Sequence, residues 1–191
     1  MNKVKEFFNK LASDWDRRSK SDLSNIKDIL SHIKISENDK ILDLGCGTGI
    51  ITSLLASYTT KKVIGIDISN NMIKIAKSKN IDKKVVFKCR DFYKLFLNKY
   101  NLIVCFDAYP HFVNQKGFVL KAHKLLTKNG TLAIIFDNDT TTTNGFHKNI
   151  ESELSRNILQ PNEEGKLFEN YFKIIFTLEE KNKYILLLQK K

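Results

Sequence analysis

The chain has 191 residues, 42% of them hydrophobic, enough to bury one good-sized core in a single domain. No run approaches the roughly 18 apolar residues of a membrane span, and Met1-Asn2-Lys3-Val4-Lys5-Glu6-Phe7-Phe8 lacks the apolar stretch of a secretory signal, so a cytoplasmic protein is expected. The net charge of +11 invites an anionic partner, yet among the 32 basic residues only Arg17, Arg18, Arg90 and Arg156 are arginine, the side chain that forks onto phosphate.

In chain order, Val4, Phe7, Phe8, Leu11 and Trp15 recur at helical spacing and predict a helix with an apolar stripe. Ser21 and Asp22 open a second, carrying Leu23, Ile26, Ile29, Leu30 and Ile33. Both precede the first strand. Residues 1–36 are therefore read as a helical lid on an α/β core of residues 37–191, with Trp15 and Asp16 nearest a ligand at the carboxyl edge of the sheet.

Residues 41–50, Ile41-Leu42-Asp43-Leu44-Gly45-Cys46-Gly47-Thr48-Gly49-Ile50, read as a buried strand with a carboxylate near its end, a glycine turn and a helix start. Three alternate glycines let a ligand approach the main chain closely. The dinucleotide fingerprint requires a glycine where Ile50 stands, and Asp43 would repel a pyrophosphate but suits an ammonium group.

From there strands and helices alternate, which predicts a doubly wound, mostly parallel sheet. The expected strands are 40–44, 62–67, 85–89, 101–106 and 131–136. Helices are expected over 49–58, from Ser69, from Asp91-Phe92 to about 98, and over 115–127, with a turn at Lys128-Asn129-Gly130. The polar run 137–145 reads as a loop, 147–158 as a helix broken at Pro161, and Tyr171 to Leu178 with Tyr184 to Gln189 as an antiparallel hairpin. Lys74, Lys77, Lys79, Lys83 and Lys84 hold much of the +7 carried by residues 41–100 and read as a solvated face. Cys46, Cys89 and Cys105 lack paired metal-ligand spacing and read as reduced structural cysteines, and no metal site is expected.

Asp67, at a strand end 20 residues after Gly47, suits a ribose diol, with Ile68 and Met72 offering apolar contacts to an adenine. Together with the glycine turn this resembles the class I methyltransferases dependent on S-adenosyl-L-methionine (SAM), whose product is S-adenosyl-L-homocysteine (SAH). The resemblance implies a Rossmann-like, seven-stranded α/β sheet with an antiparallel last strand. It places Asp43 and the backbone around Gly45 and Gly47 at the methionine portion, Asp91 and Phe92 against the adenine, and Asp107 beside the sulfonium, and it counts Cys46, Thr48 and Gly49 among the cofactor-binding residues.

Phe106-Asp107-Ala108-Tyr109-Pro110-His111-Phe112 departs from the D-P-P-Y motif of base and amide methylation. It is more similar to small-molecule members such as the ubiquinone/menaquinone-biosynthesis group. That likeness implies an acceptor pocket of Trp15, Tyr109, His111, Phe112 and His147, with His111 and Asp107 as catalytic candidates. His32 and His123 fall inside helices, away from strand ends. A small-molecule methyltransferase is the expectation. An RNA or tRNA base methyltransferase is the second alternative, and a non-catalytic SAM-binding protein is the third.

Overall fold

The computed structural model describes residues 3–19, 22–96 and 98–191, so Ser21 of the expected helix start lies outside the described residues. The chain opens with α1 (Lys3–Leu11), a 3-10 turn (Ala12–Asp14), α2 (Trp15–Arg18) and α3 (Leu23–Ser31), and then enters β1 (Ile41–Leu44). Next come α4 (Ile50–Leu55), β2 (Val63–Asp67), α5 (Asn70–Lys79), β3 (Val85–Cys89) and a 3-10 turn (Phe92–Lys94). β4 (Tyr100–Phe106), a 3-10 turn (Tyr109–His111), α6 (Gln115–Leu125), β5 (Leu126–Phe136), α7 (Thr140–His147), α8 (Pro161–Lys166), β6 (Phe172–Glu180) and β7 (Lys183–Lys190) complete it.

The strands form one seven-stranded sheet in the order β3-β2-β1-β4-β5-β7-β6. β1 to β5 pair in parallel, and β7 inserts between β5 and β6, antiparallel to both. This is the doubly wound, Rossmann-like arrangement expected. Alternation along buried strands sends Leu42 and Leu44 into one core with Phe118 and Leu186, and Ile41 into the other with Ile26 and Val63. Asp43 falls on the same side as Ile41.

Four expectations are corrected. The polar run after β5 is no loop: Asp139 Oδ1 accepts the Thr142 amide at 2.7 Å and starts α7, whose Thr143 is buried. No helix spans 147–158, because α7 already ends at His147 and the chain then runs through turns. Pro161 opens α8 as its first residue, where its missing N–H costs nothing. Lys128-Asn129-Gly130 lies inside β5, which starts directly after α6 and absorbs the irregularity with Asn129 at φ 60° and a register shift between Tyr100 and Leu102.

At the second helix start, Asp22 accepts the Ser24 amide at 2.8 Å. The last hairpin turns through Lys181 and Asn182 alone. Among the described residues, no helix is long and apolar enough to cross a membrane.

Candidate active site

Parallel strands leave their ligand sites beyond their carboxyl ends, and there β1, β2 and β4 open into a cavity of about 540 Å³. The glycine turn forms its floor. Gly45 has φ 74°, and a Cβ there would meet the Ala108 Cβ at 2.5 Å, so only glycine lets the turn pass the end of β4. The Gly45 and Cys46 amides both donate to the Ile66 carbonyl at 2.9 Å, which pins the turn to β2. Asp67 completes the pinning: its Oδ2 accepts the Gly47 amide at 3.0 Å and its Oδ1 the Ser69 amide at 2.8 Å. Burial raises the Asp67 pKa, against the opposing pull of these amides.

Asp43 is buried beneath the turn and accepts the Thr52 hydroxyl. Burial pushes its pKa up to about 7, with the Thr52 bond opposing and Asp67 adding. Asp91 accepts the Tyr93 amide at 3.0 Å and so caps the 3-10 turn that carries Phe92 into the cavity wall.

At the end of β4, Asp107 adopts φ 50°, a left-handed conformation that aspartate tolerates better than most side chains. Burial, and then Asp137, hold its carboxyl well above the usual range. His111 follows one 3-10 turn later. Its Nδ1 lies 2.8 Å from the Leu154 carbonyl, which only accepts; Nδ1 therefore carries the proton and the neutral ring has a bare Nε2. Burial lowers the His111 pKa to about 4.

The N-terminal helices lie across this space. Asn9 accepts from the Ser69 hydroxyl at 2.7 Å and the Asn71 amide at 3.2 Å, while Asp16 accepts from the Thr48 hydroxyl and from Lys79 at 2.7 Å. The Trp15 indole nitrogen sits 3.5 Å from where a Gly47 Cβ would stand, and the Phe8 ring meets the His111 ring edge-on at 4.7 Å.

A family model for a methyltransferase domain matches residues 35–189. The chain belongs to this methyltransferase family. It is similar to a malonyl-[acyl-carrier protein] O-methyltransferase from Acetivibrio thermocellus, at 30% identity over 66% of the chain and 46% of that protein. The chain spans about half or less of the length of the curated relatives it matches.

In fold it is similar to the magnesium protoporphyrin IX methyltransferase of Synechocystis solved with bound SAH (TM-score 0.71, 19% identity, 98% of each chain). It is also similar to a chain in the complex of the Haloferax volcanii Trm112 methyltransferase activator (TM-score 0.81, 14% identity, 96% of this chain and 97% of that one).

Family and fold make SAM the cofactor of this methyltransferase domain. The cradle suits it. Each Asp67 oxygen accepts one amide and keeps a lone pair for a ribose hydroxyl, and Asp43 is a buried carboxyl placed to offset an ammonium.

Trp15, Asp43, Gly45, Cys46, Gly47, Thr48, Asp67, Ile68, Met72, Asp91, Phe92, Asp107, His111 and Phe112 all line the cavity. Three expected residues do not. Gly49 has φ 88° and faces Phe87, whose ring lies 2.5 Å from where a Cβ would be. Tyr109 is wholly buried, with its hydroxyl donating to Glu164 Oε1 at 2.8 Å. His147 stands behind His111, ring centroids 5.0 Å apart, and is held through Nδ1 by the Thr143 carbonyl. Sequence reasoning missed Lys3, Arg90, Tyr93, Asn114 and Glu153 in the lining. Arg90 and Tyr93 flank the recognised Asp91-Phe92 pair and were within reach of it; Glu153 was hidden by the helix wrongly expected over 147–158.

Proposed function

We propose that this domain transfers a methyl group from SAM to a small, largely apolar molecule bound beneath the N-terminal helices. The observation that carries the reading is one continuous cavity, running from Asp67 and the glycine turn to an aromatic end made by Phe8, Phe112 and His111. Bound SAM supplies a methyl group on a positively charged sulfur, which an acceptor lone pair displaces directly.

The chain itself aligns and dehydrates. Asp67 holds the ribose hydroxyls, Ile68, Met72 and Phe92 flank the adenine, and Asp91 accepts from its amino group. Asp43 and the turn hold the methionine end, and Asp107 lies towards the sulfur. With a pKa near 4, His111 is a weak base. Its bare Nε2 orients an acceptor O–H or N–H and takes the proton as the methyl bond forms. Residues 3–18 serve as a lid on a single domain, with Trp15 closing over the turn, whereas α3 packs Ile26, Ile29 and Leu30 into the core.

An RNA or tRNA base is the second reading, favoured by the +7 carried by residues 41–100. Part of that charge has structural work: Lys79 binds Asp16, and Lys84 donates to the Ala56 and Thr59 carbonyls. In the third reading the domain binds SAM without turning it over on any acceptor.

Calorimetry with SAH tests the cofactor site. Micromolar binding is expected, weakened about tenfold or more, or roughly 1.4 kcal/mol, by Asp67→Ala or by Gly47→Val. Equal affinity in both variants contradicts the assignment.

A further inference from the structure

One buried polar cluster lies outside the cavity. Glu164, on α8, has no exposed side-chain surface. Its Oε1 accepts the Tyr109 hydroxyl at 2.8 Å and the Arg156 guanidinium, and its Oε2 accepts the Leu159 amide at 2.9 Å. The guanidinium carbon of Arg156 stands 4.6 Å from the centre of the Tyr109 ring. The Arg156 amide donates to the Pro110 carbonyl at 3.1 Å. Two residues earlier, Leu154 supplies the carbonyl that holds His111 Nδ1.

A buried charge is stable only when paired and fully hydrogen-bonded, and a network satisfied in this way holds its members in one arrangement. Here the members come from α8, from the turns before it and from the 3-10 turn after β4. The parts they join are the two chain segments that meet at the His111 Nδ1 bond.

We infer that Glu164, Arg156 and Tyr109 are positioning residues for His111: they clamp residues 154–156 onto the turn after β4, hold the proton on Nδ1 and leave Nε2 bare. This rests on the reading that the acceptor lies against His111. Loosening the clamp withdraws the Leu154 carbonyl, and the ring is then free to carry its proton on Nε2, which turns an acceptor into a donor. The groups that share the surroundings of His111 are His147 from α7, Asp107 from the end of β4, and the Lys3–Glu153 pair at the cavity wall. None of these is altered by the test.

The test is nitrogen-15 NMR of histidine-labelled full chain, with His111 assigned by its loss in His111→Gln. Wild type is expected to show the Nδ1–H form. In Glu164→Gln and in Arg156→Lys the Nε2–H form should rise to about a third or more of the population, while SAH affinity stays within about twofold because neither residue touches the cavity. Should Glu164→Gln fail to fold, Tyr109→Phe removes a single bond of the cluster and is read with Arg156→Lys.

An unchanged tautomer in the folded variants overturns the inference, as does an Nε2–H proton in wild type. The two readings fail separately. Absence of SAH binding to wild type sinks the cofactor assignment, whereas the tautomer is read without any ligand.

Discussion

A carboxyl group in water loses its proton near pH 4, but Asp43 sits under the glycine turn with one hydroxyl for company, and burial moves its pKa to about 7. Between those two values the folded chain keeps a proton that the unfolded chain has released. Stability therefore falls as pH rises from about 4 to about 7 and stays lower above that range. Asp43→Asn preserves the shape and cannot ionise, so it should stabilise the ligand-free protein at pH 8 by on the order of 1 kcal/mol or more and by almost nothing at pH 4. Thermal unfolding at the two pH values checks this; equal shifts at both contradict a buried carboxylate. The same variant should bind SAH about tenfold more weakly at pH 8, because the ligand's ammonium loses its counter-charge. A site that stores instability in the empty state and recovers it on binding is a common pattern for functional carboxylates.

At the level of elements, α1 and α2 are attached by few polar contacts, unlike α3, which buries Ile26, Ile29 and Leu30 in the core. Asn9 ties α1 to the start of α5, and Asp16 ties α2 to Thr48 and Lys79. Trp15, the chain's one tryptophan, lies over Gly47 and so reports on closure through its own fluorescence. SAH should change that fluorescence. Asn9→Ala should raise the SAH dissociation rate several-fold, about 3 to 10 times, as the loss of roughly 1 kcal/mol of hydrogen bonding allows. Stopped-flow displacement reads the rate; an unaltered rate means that these helices are not what retains the ligand. The corrected helix α7 belongs here too. Its threonines are ordinary loop formers, but Asp139 supplies the cap and buried Thr143 the packing, and together they outweigh weak propensity.

For the whole molecule, the charge excess lies mainly between residues 41 and 100, and Lys74, Lys77, Lys83 and Lys84 of that segment are not among the residues that line the cavity. Neutralising Lys74, Lys77, Lys83 and Lys84 together to glutamine should leave SAH affinity within about twofold. If tRNA is the acceptor, the same variant must lose salt-sensitive tRNA binding measured by filter retention.

Local chemistry by itself determined the strand and helix alternation, the glycine turn, and the carboxylates Asp43, Asp67 and Asp91 at strand ends, because period-2 and helical spacing and alternate glycines are properties of neighbouring residues. Tertiary structure alone decided that Tyr109 turns away to Glu164, that His147 stands behind His111, and that Lys3 and Glu153 reach the cavity wall. Those outcomes depend on contacts between distant segments, with 55 positions separating Tyr109 from Glu164 and far more separating Lys3 from Glu153, and no spacing within a single segment encodes which side chain a distant one will meet.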